Sequence, residues 1–326
     1  MVLLVACEND APFASATPLD GMAFDAFFLI LLMLALGVLC ARTRLFDDNA
    51  AEVLNQFALY ICLSAAVLRY GSKLELGSQI LLIAAVPWAL LLAAVGMVLG
   101  LQRLFHWNRE ITAVLLLAIP LGNTSYLGYP LVQAMRGEAA LPYAVIYDQF
   151  GAFLILSTYG LLVLARASGE SRPTPGQLLR RILGFPPFIA LLLALTIFPA
   201  HPPAALDGVL QRLSDALLPI VALAVGLQLK LRLPRHALGA LGLGLGLKLV
   251  VMPLLALVLV LILGMPTPMA DAVVLETAMP TMITAAALAI SHRLAPTFAA
   301  AMVGYGLLLS LLTLPLWDLV LRYVLG

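Results

Sequence analysis

Pro120-Leu121-Gly122-Asn123-Thr124-Ser125-Tyr126-Leu127-Gly128-Tyr129-Pro130 interrupts an apolar run that would otherwise make a plain membrane helix, and Ala278-Met279-Pro280-Thr281 interrupts a later one. In hydrocarbon an unpaired backbone N–H or C=O costs several kcal/mol, so irregular chain at membrane depth persists only against other protein or beside a wet cavity. Two such breaks in equivalent places point to a path for a solute. At the first, Pro120 removes an amide donor, Gly122 and Gly128 are expected to relax the chain, and Pro130 is expected to restart the helix. Asn123, Thr124, Ser125 and Tyr126 then bring four polar side chains near the middle of the bilayer. Half-helix N-termini carry free N–H groups and positive partial charge, which favours an anion between them. A single kink, with Asn or Thr re-satisfying freed backbone, is ordinary in membrane helices. The pair carries the functional argument.

Composition agrees with the membrane. Hydrophobic residues make up 63% and charged residues 11% of 326 positions, and the mean hydropathy is +1.06. Soluble domains carry about 25% charge. No polar stretch is long enough for a separate soluble domain, and a net charge of +1 gives no basis for nucleic-acid binding. Cys7, Cys40 and Cys62 suggest no disulfide framework, and His106, His201, His236 and His292 sit in or beside loops without metal spacing. No metal and no cofactor is expected. The opening Met1-Val2-Leu3-Leu4-Val5-Ala6-Cys7 lacks the basic region of a signal peptide, so residues 1–21 are expected to form an extramembrane tail.

Apolar runs bounded by charge, Pro or Gly give spans near 22–41, 52–70, 78–101, 111–135, 140–165, 183–200, 208–229, 237–263, 269–291 and 296–321. With the N-terminus outside, Arg42, Arg44, Arg103, Arg109, Arg166, Arg172, Arg180, Arg181, Lys230, Arg232, Arg235 and Arg293 fall inside. Arg69, Lys73, Arg136, Arg212 and Arg322 fall outside, and Lys248 lies within the membrane. That bias gives an N-out, C-out chain. The polar 166–182 segment is expected to be a cytoplasmic loop that divides the first five helices (22–165) from the second five (183–326). The halves match in order: Leu32-Met33-Leu34-Ala35-Leu36 with Leu191-Leu192-Leu193-Ala194-Leu195, Ser64 with Pro219, Pro87 with Pro253, and Gly122-Asn123 with Pro280-Thr281. An odd number of spans per repeat makes the repeats inverted. The fold class expected is therefore an all-α polytopic membrane protein of about ten helices, with the fourth and ninth broken.

The stretch Gly122-Asn123-Thr124-Ser125-Tyr126-Leu127-Gly128-Tyr129-Pro130 resembles the Asn-Thr-x-x-x-Gly-x-Pro signature of the auxin efflux carrier family. Glu276-Thr277-Ala278-Met279-Pro280 is similar to the family's Glu-Ser-Ala-Met-Pro element, and Leu54-Asn55-Gln56 and Leu217-Leu218-Pro219-Ile220 also resemble its patterns. Gly122 and Ser64 depart from it, standing where relatives often have proline. The resemblance implies two inverted five-helix repeats, a scaffold or dimer domain that would make a homodimer, and a transport domain in which helices four and nine cross. It implies that the crossing binds substrate, and that the cargo is a small organic anion such as auxin, malonate or malate. Carried onto this chain, the crossing comprises Asn123 with Thr124, Ser125 and Tyr126, and Pro280 with Thr281. The bacterial members place such a protein in the inner membrane.

Asp148, Glu276 and Lys248 are ionisable residues at membrane depth, and their depths overlap closely enough for pairing. Each costs about 2.5–3.5 kcal/mol even on the mild insertion scale, so each is expected to face a cavity or a partner. Two readings stand: Lys248 simply pairs with Asp148 or Glu276, or one acid exchanges a proton while Lys248 meets the substrate anion. Trp107 and Trp317 are expected in aromatic belts, Trp88 in a helix interface, and the Gly242-Leu243-Gly244-Leu245-Gly246 run at a close helix contact or, equally, at a flexible point of the helix. Without a Walker loop or an intramembrane-protease motif, the chain reads as no enzyme. The expected function is a secondary transporter of a small organic anion, with H+ or Na+ as a candidate coupling ion. An anion channel and a membrane metabolite sensor are the alternatives.

Overall fold

The computed structural model describes residues 18–47, 49–74, 77–229 and 237–325. Most of the expected 1–21 tail lies outside the described residues, as do Lys230, Arg232, Arg235 and His236. The chain is an all-helical, polytopic membrane protein, and among the described residues the one β-type pairing is an isolated bridge. We number the helices α1 (Pro18–Thr43), α2 (Ala50–Gly71), α3 (Ser78–Phe105), α4 (Arg109–Ala118), α5 (124–136), α6 (Glu138–Ser168) and α7 (Pro175–Leu183). They continue with α8 (Pro186–Thr196), α9 (Ala204–Gln228), α10 (Leu238–Ile262), α11 (Thr267–Ala278), α12 (Ile283–Ser291) and α13 (Pro296–Leu325).

Among the described residues, seven helices are long and apolar enough to cross a membrane: α1, α2, α3, α6, α9, α10 and α13. The pair α7 and α8, bent by 67°, passes that test together. The expected fourth and ninth spans each fall on two short helices, α4 with α5 and α11 with α12. Neither half of such a pair could span about 30 Å of hydrocarbon alone.

Among the described residues, wide π-type turns interrupt α2, α6 and α10 at 58–62, 147–153, 156–160 and 247–251, and one opens α5 at 124–128. Such turns leave carbonyls without their usual partner, and two tryptophans collect them. Trp88 Nε1 donates to the Phe150 carbonyl at 3.0 Å, and Trp317 Nε1 donates to the Leu249 carbonyl at 2.9 Å. Trp317 is thus a buried bond between α13 and α10 rather than part of an aromatic belt. Its indole N–H is worth more on a freed carbonyl in an apolar interior than at the headgroups.

The helices α1, α2, α8 and α9 form a group, α1 on α9 and α2 on both α8 and α9, and the group also packs on the rest of the chain, α1 on α5 and α2 on α6. A tight glycine crossing lies in that group. A Cβ on Gly37 of α1 would stand 2.7 Å from Gly226 Cα of α9, and one on Gly226 would stand 2.9 Å from Gly37 Cα. In the Gly242–Gly246 run, by contrast, Gly244 alone makes a tight contact, its Cβ position lying 2.6 Å from Leu115 Cδ2, while Gly242 and Gly246 face open space.

The two ends of the bundle differ in charge pairing. At one end Arg69 donates to Asp207 at 2.8 Å and to Glu138 at 3.0 Å, and Lys73 meets Glu138 at 3.2 Å. Beside them Arg136 donates to Asp271 at 2.7 Å and to Asp318, which Arg322 also holds at 2.9 Å. At the other end Arg42, Arg44, Arg103, Arg109, Arg166, Arg172, Arg180, Arg181 and Arg293 form no ion pair among the described residues. We call these ends the paired face and the basic face.

Candidate functional site

The two breaks meet. The Asn123 N–H donates to the Pro280 carbonyl at 2.7 Å and the Met282 N–H donates to the Leu121 carbonyl at 3.0 Å, so Gly122 and Thr281 face each other in an antiparallel bridge. Proline stops each helix, and the extended residues that follow satisfy one another's backbone. The Thr281 hydroxyl adds a bond to the Ala118 carbonyl at 3.3 Å, taking up an acceptor at the end of α4.

The restart differs from expectation. Helix resumes at Thr124 directly after the bridge, with a wide turn, so Pro130 sits one residue into the regular part of α5 and does not initiate it. Gly122 and Gly128 do not supply unusual backbone angles either, since Gly128 has φ −59° and Gly122 is not among the positive-φ glycines. They supply room. A Cβ on Gly122 would lie 3.2 Å from Lys248 Nζ, and one on Gly128 would lie 2.7 Å from Oε1 and 2.8 Å from Cδ of Glu276.

A cavity of about 440 Å³ opens beside the bridge. Asn123, Ser125 and Tyr126 reach it from the start of α5, and Met282 and Thr284 from the start of α12, so the N-terminal ends of two half-helices border one space. Asn123 is 3% exposed, and its side-chain amide forms no hydrogen bond among the described residues. Its donor and acceptor are free for a ligand. Of the other candidates, Thr124 turns its hydroxyl to Asp148, Pro280 contributes its carbonyl to the bridge, and Thr281 points at Ala118.

Asp148 also lines the cavity, fully buried and heavily solvated by the protein. Its Oδ1 accepts from the Thr124 hydroxyl and from Ser125 at 2.7 Å, and its Oδ2 accepts from Tyr129 and from Gln149 Nε2, each at 2.8 Å. Four donors leave it self-sufficient. Lys248 forms no ion pair with Asp148 or Glu276. Its Nζ donates to the Thr277 carbonyl at 3.1 Å. That carbonyl belongs to the last turn of α11, where helical partners run out and the dipole is negative, so a cation is stabilised there without a direct ion pair. Glu276 is 0% exposed, and neither carboxyl oxygen has a hydrogen-bond partner.

The sequence reading did not single out several polar lining residues, among them Tyr60, Ser157, Thr284 and Arg181. Thr284 follows the second break much as Ser125 follows the first, a signal that was present in the repeat. Arg181, from the bent α7–α8 pair, is the one cation lining the cavity among the described residues. Nothing in its own neighbourhood of sequence distinguishes it from Arg180. Among the described residues no His, Cys, Asp and Glu group could hold a metal ion.

Comparison with known proteins gives concordant results. The profile of a family described as membrane transport protein matches residues 22–318. An uncharacterized transporter of Methanothermobacter thermautotrophicus is 27% identical over 223 residues, covering 68% of this chain and 70% of the relative. An uncharacterized transporter of Methanocaldococcus jannaschii is 27% identical over 216 residues, covering 63% of this chain and 68% of the relative.

Proposed function

Because the chain belongs to the membrane transport protein family, we propose that it is a secondary carrier of a small organic anion, working by alternating access about the bridge between its two breaks. The observation that carries this reading is the cavity of about 440 Å³ onto which both half-helix N-termini and the unpartnered Asn123 amide open. Its volume falls in the range of small-molecule sites, about 300–1,000 Å³. Asp148 is engaged by its own four donors, so the helix ends, Asn123 and Arg181 remain to attract a carboxylate. Malonate, malate and auxin-like acids are the candidate substrates.

On this reading the 22–165 and 183–326 halves are inverted five-helix repeats joined by a cytoplasmic 166–182 loop, and both termini lie outside the bacterial inner membrane. The group α1, α2, α8 and α9 serves as scaffold and dimer surface, and the remaining helices move against it. Glu276 is the coupling group, since two buried oxygens without donors can accept H+ or ligate Na+. Nothing in the site calls for bond-breaking chemistry, so we read the protein as no enzyme.

The deciding experiment is flux of labelled mono- and dicarboxylates in proteoliposomes, with and without the same acid inside. Saturable uptake accelerated by internal substrate is expected. Flux that neither saturates nor shows counterflow would make the protein a channel, and ligand-induced stabilisation without any flux would make it a sensor.

A further inference from the structure

At the basic face the end of α3, the start of α4 and the end of α6 enclose a groove of about 740 Å³ that shares no lining residue with the substrate cavity. Gln102, Arg109, Thr112 and Arg166 form its polar edge, and Leu116 and Val163 belong to its apolar wall. Both arginines line the groove, and no acid does. Arg109 Nη2 donates to the main-chain carbonyl of Arg166, and among the described residues neither arginine forms an ion pair. Glu110, the acid adjacent in sequence, instead accepts the Ala295 N–H at 3.2 Å. The first turn of α4 adds the positive end of its dipole, with Asn108 capping Ile111 at 2.8 Å.

The groove lies at the ends of α3 and α6, two helices of membrane-spanning length, where headgroups are expected. Phe105 and Trp107 stack at 5.7 Å at the α3–α4 junction, and Leu104 and Phe105 are exposed, as in the aromatic and apolar rim at a membrane boundary. Two unpaired arginines above an apolar wall match a ligand with a phosphate at one end and a hydrocarbon chain at the other. We propose that this groove binds an anionic glycerophospholipid, its phosphate between Arg109 and Arg166 and an acyl chain along Leu116 and Val163. A lipid seated there clips the start of α4 to the end of α6, and α4 leads directly to the first break.

The test is thermal melting of the delipidated full-length protein in detergent, titrated with phosphatidylglycerol, phosphatidylcholine or inorganic phosphate. Phosphatidylglycerol is expected to raise the melting temperature saturably and the other two are not. In R109Q/R166Q its half-saturating concentration should rise about thirtyfold, the combined effect of two surface cations. In R172Q/R180Q, with the same charge lost from the same face, it should stay unchanged. Equal loss in both double variants would show general charge attraction and overturn the site. Equal stabilisation by inorganic phosphate would make it a free-phosphate site, and equal stabilisation by phosphatidylcholine would remove the role of the arginines. Should R109Q/R166Q not purify as a monodisperse protein, R166Q alone serves, because the Arg166 main-chain carbonyl that Arg109 uses is retained.

Discussion

Arg69 Nη1 stands 3.0 Å from Glu138 Oε1, joining α2 to the first turn of α6 at the paired face, while the same guanidinium holds Asp207 of α9. The Asp207 bond stays within the group formed by α1, α2, α8 and α9, whereas the Glu138 bond leaves it. If that group is the stationary part of a carrier, the Arg69–Glu138 pair latches the paired face shut.

Glu138 is part-exposed, so its pair is worth about 1 kcal/mol. E138Q should therefore shift the balance toward an open paired face about fivefold. Labelling of Ser72→Cys by an impermeant maleimide, with the native cysteines replaced by serine, should quicken by that factor. An unchanged rate would mean the pair fixes structure and gates nothing.

Asn123→Ala removes a side chain that forms no hydrogen bond among the described residues, so the melting temperature should hardly move. Transport should suffer. Losing a hydrogen bond to a charged group costs about 1.5–3 kcal/mol, or roughly ten- to a hundredfold in apparent substrate affinity. Proteoliposome uptake against substrate concentration measures it, and an unaltered half-saturation would move the binding site away from the bridge.

Gly128→Ala places a methyl group against the Glu276 carboxyl, with contacts of 2.7 and 2.8 Å that are relieved only if this fully buried side chain shifts. We expect a loss of about 1–3 kcal/mol in stability. The combination G128A/E276A should be less destabilised than the sum of its parts, because the clash disappears with the carboxyl. Strict additivity in thermal melts would show that the two residues do not touch.

Gly37→Ala should destabilise by a similar amount, since the group it meets is the backbone of α9. Gly242→Ala meets open space and should be neutral, or stabilising by up to about 1 kcal/mol through helix propensity. The two melting temperatures, compared directly, test whether the Gly37–Gly226 crossing or the glycine run is the close contact.

That contrast shows what a sequence carries. Pro120 and Pro280 mark the breaks because a missing N–H is a local, chemical fact about a residue. The glycine run was conspicuous and mostly faces outward, while Gly37 and Gly226, 189 positions apart, have no meaning until α1 and α9 are laid together. Lys248 was legible as a buried cation needing a partner. That its partner is the carbonyl of Thr277 and not an acid follows from where α11 ends, which local sequence does not specify. Asn123 was readable as a polar residue at a break, but that Arg181 lines the cavity follows from how the bent α7–α8 pair is placed in the fold, which local sequence does not specify.

The bridge at the crossing is made of main-chain atoms alone: two N–H groups, from Asn123 and Met282, and two carbonyls, from Leu121 and Pro280. Every residue type except proline can donate such an N–H, and all can supply the carbonyl. The hydrogen bonds of the join therefore do not depend on which side chains Asn123 and Met282 carry. Selection can exchange residues such as Asn123, Ser125 or Thr284 to suit a new cargo without unmaking the scaffold that presents them. A single architecture can thus diversify its diet one substitution at a time.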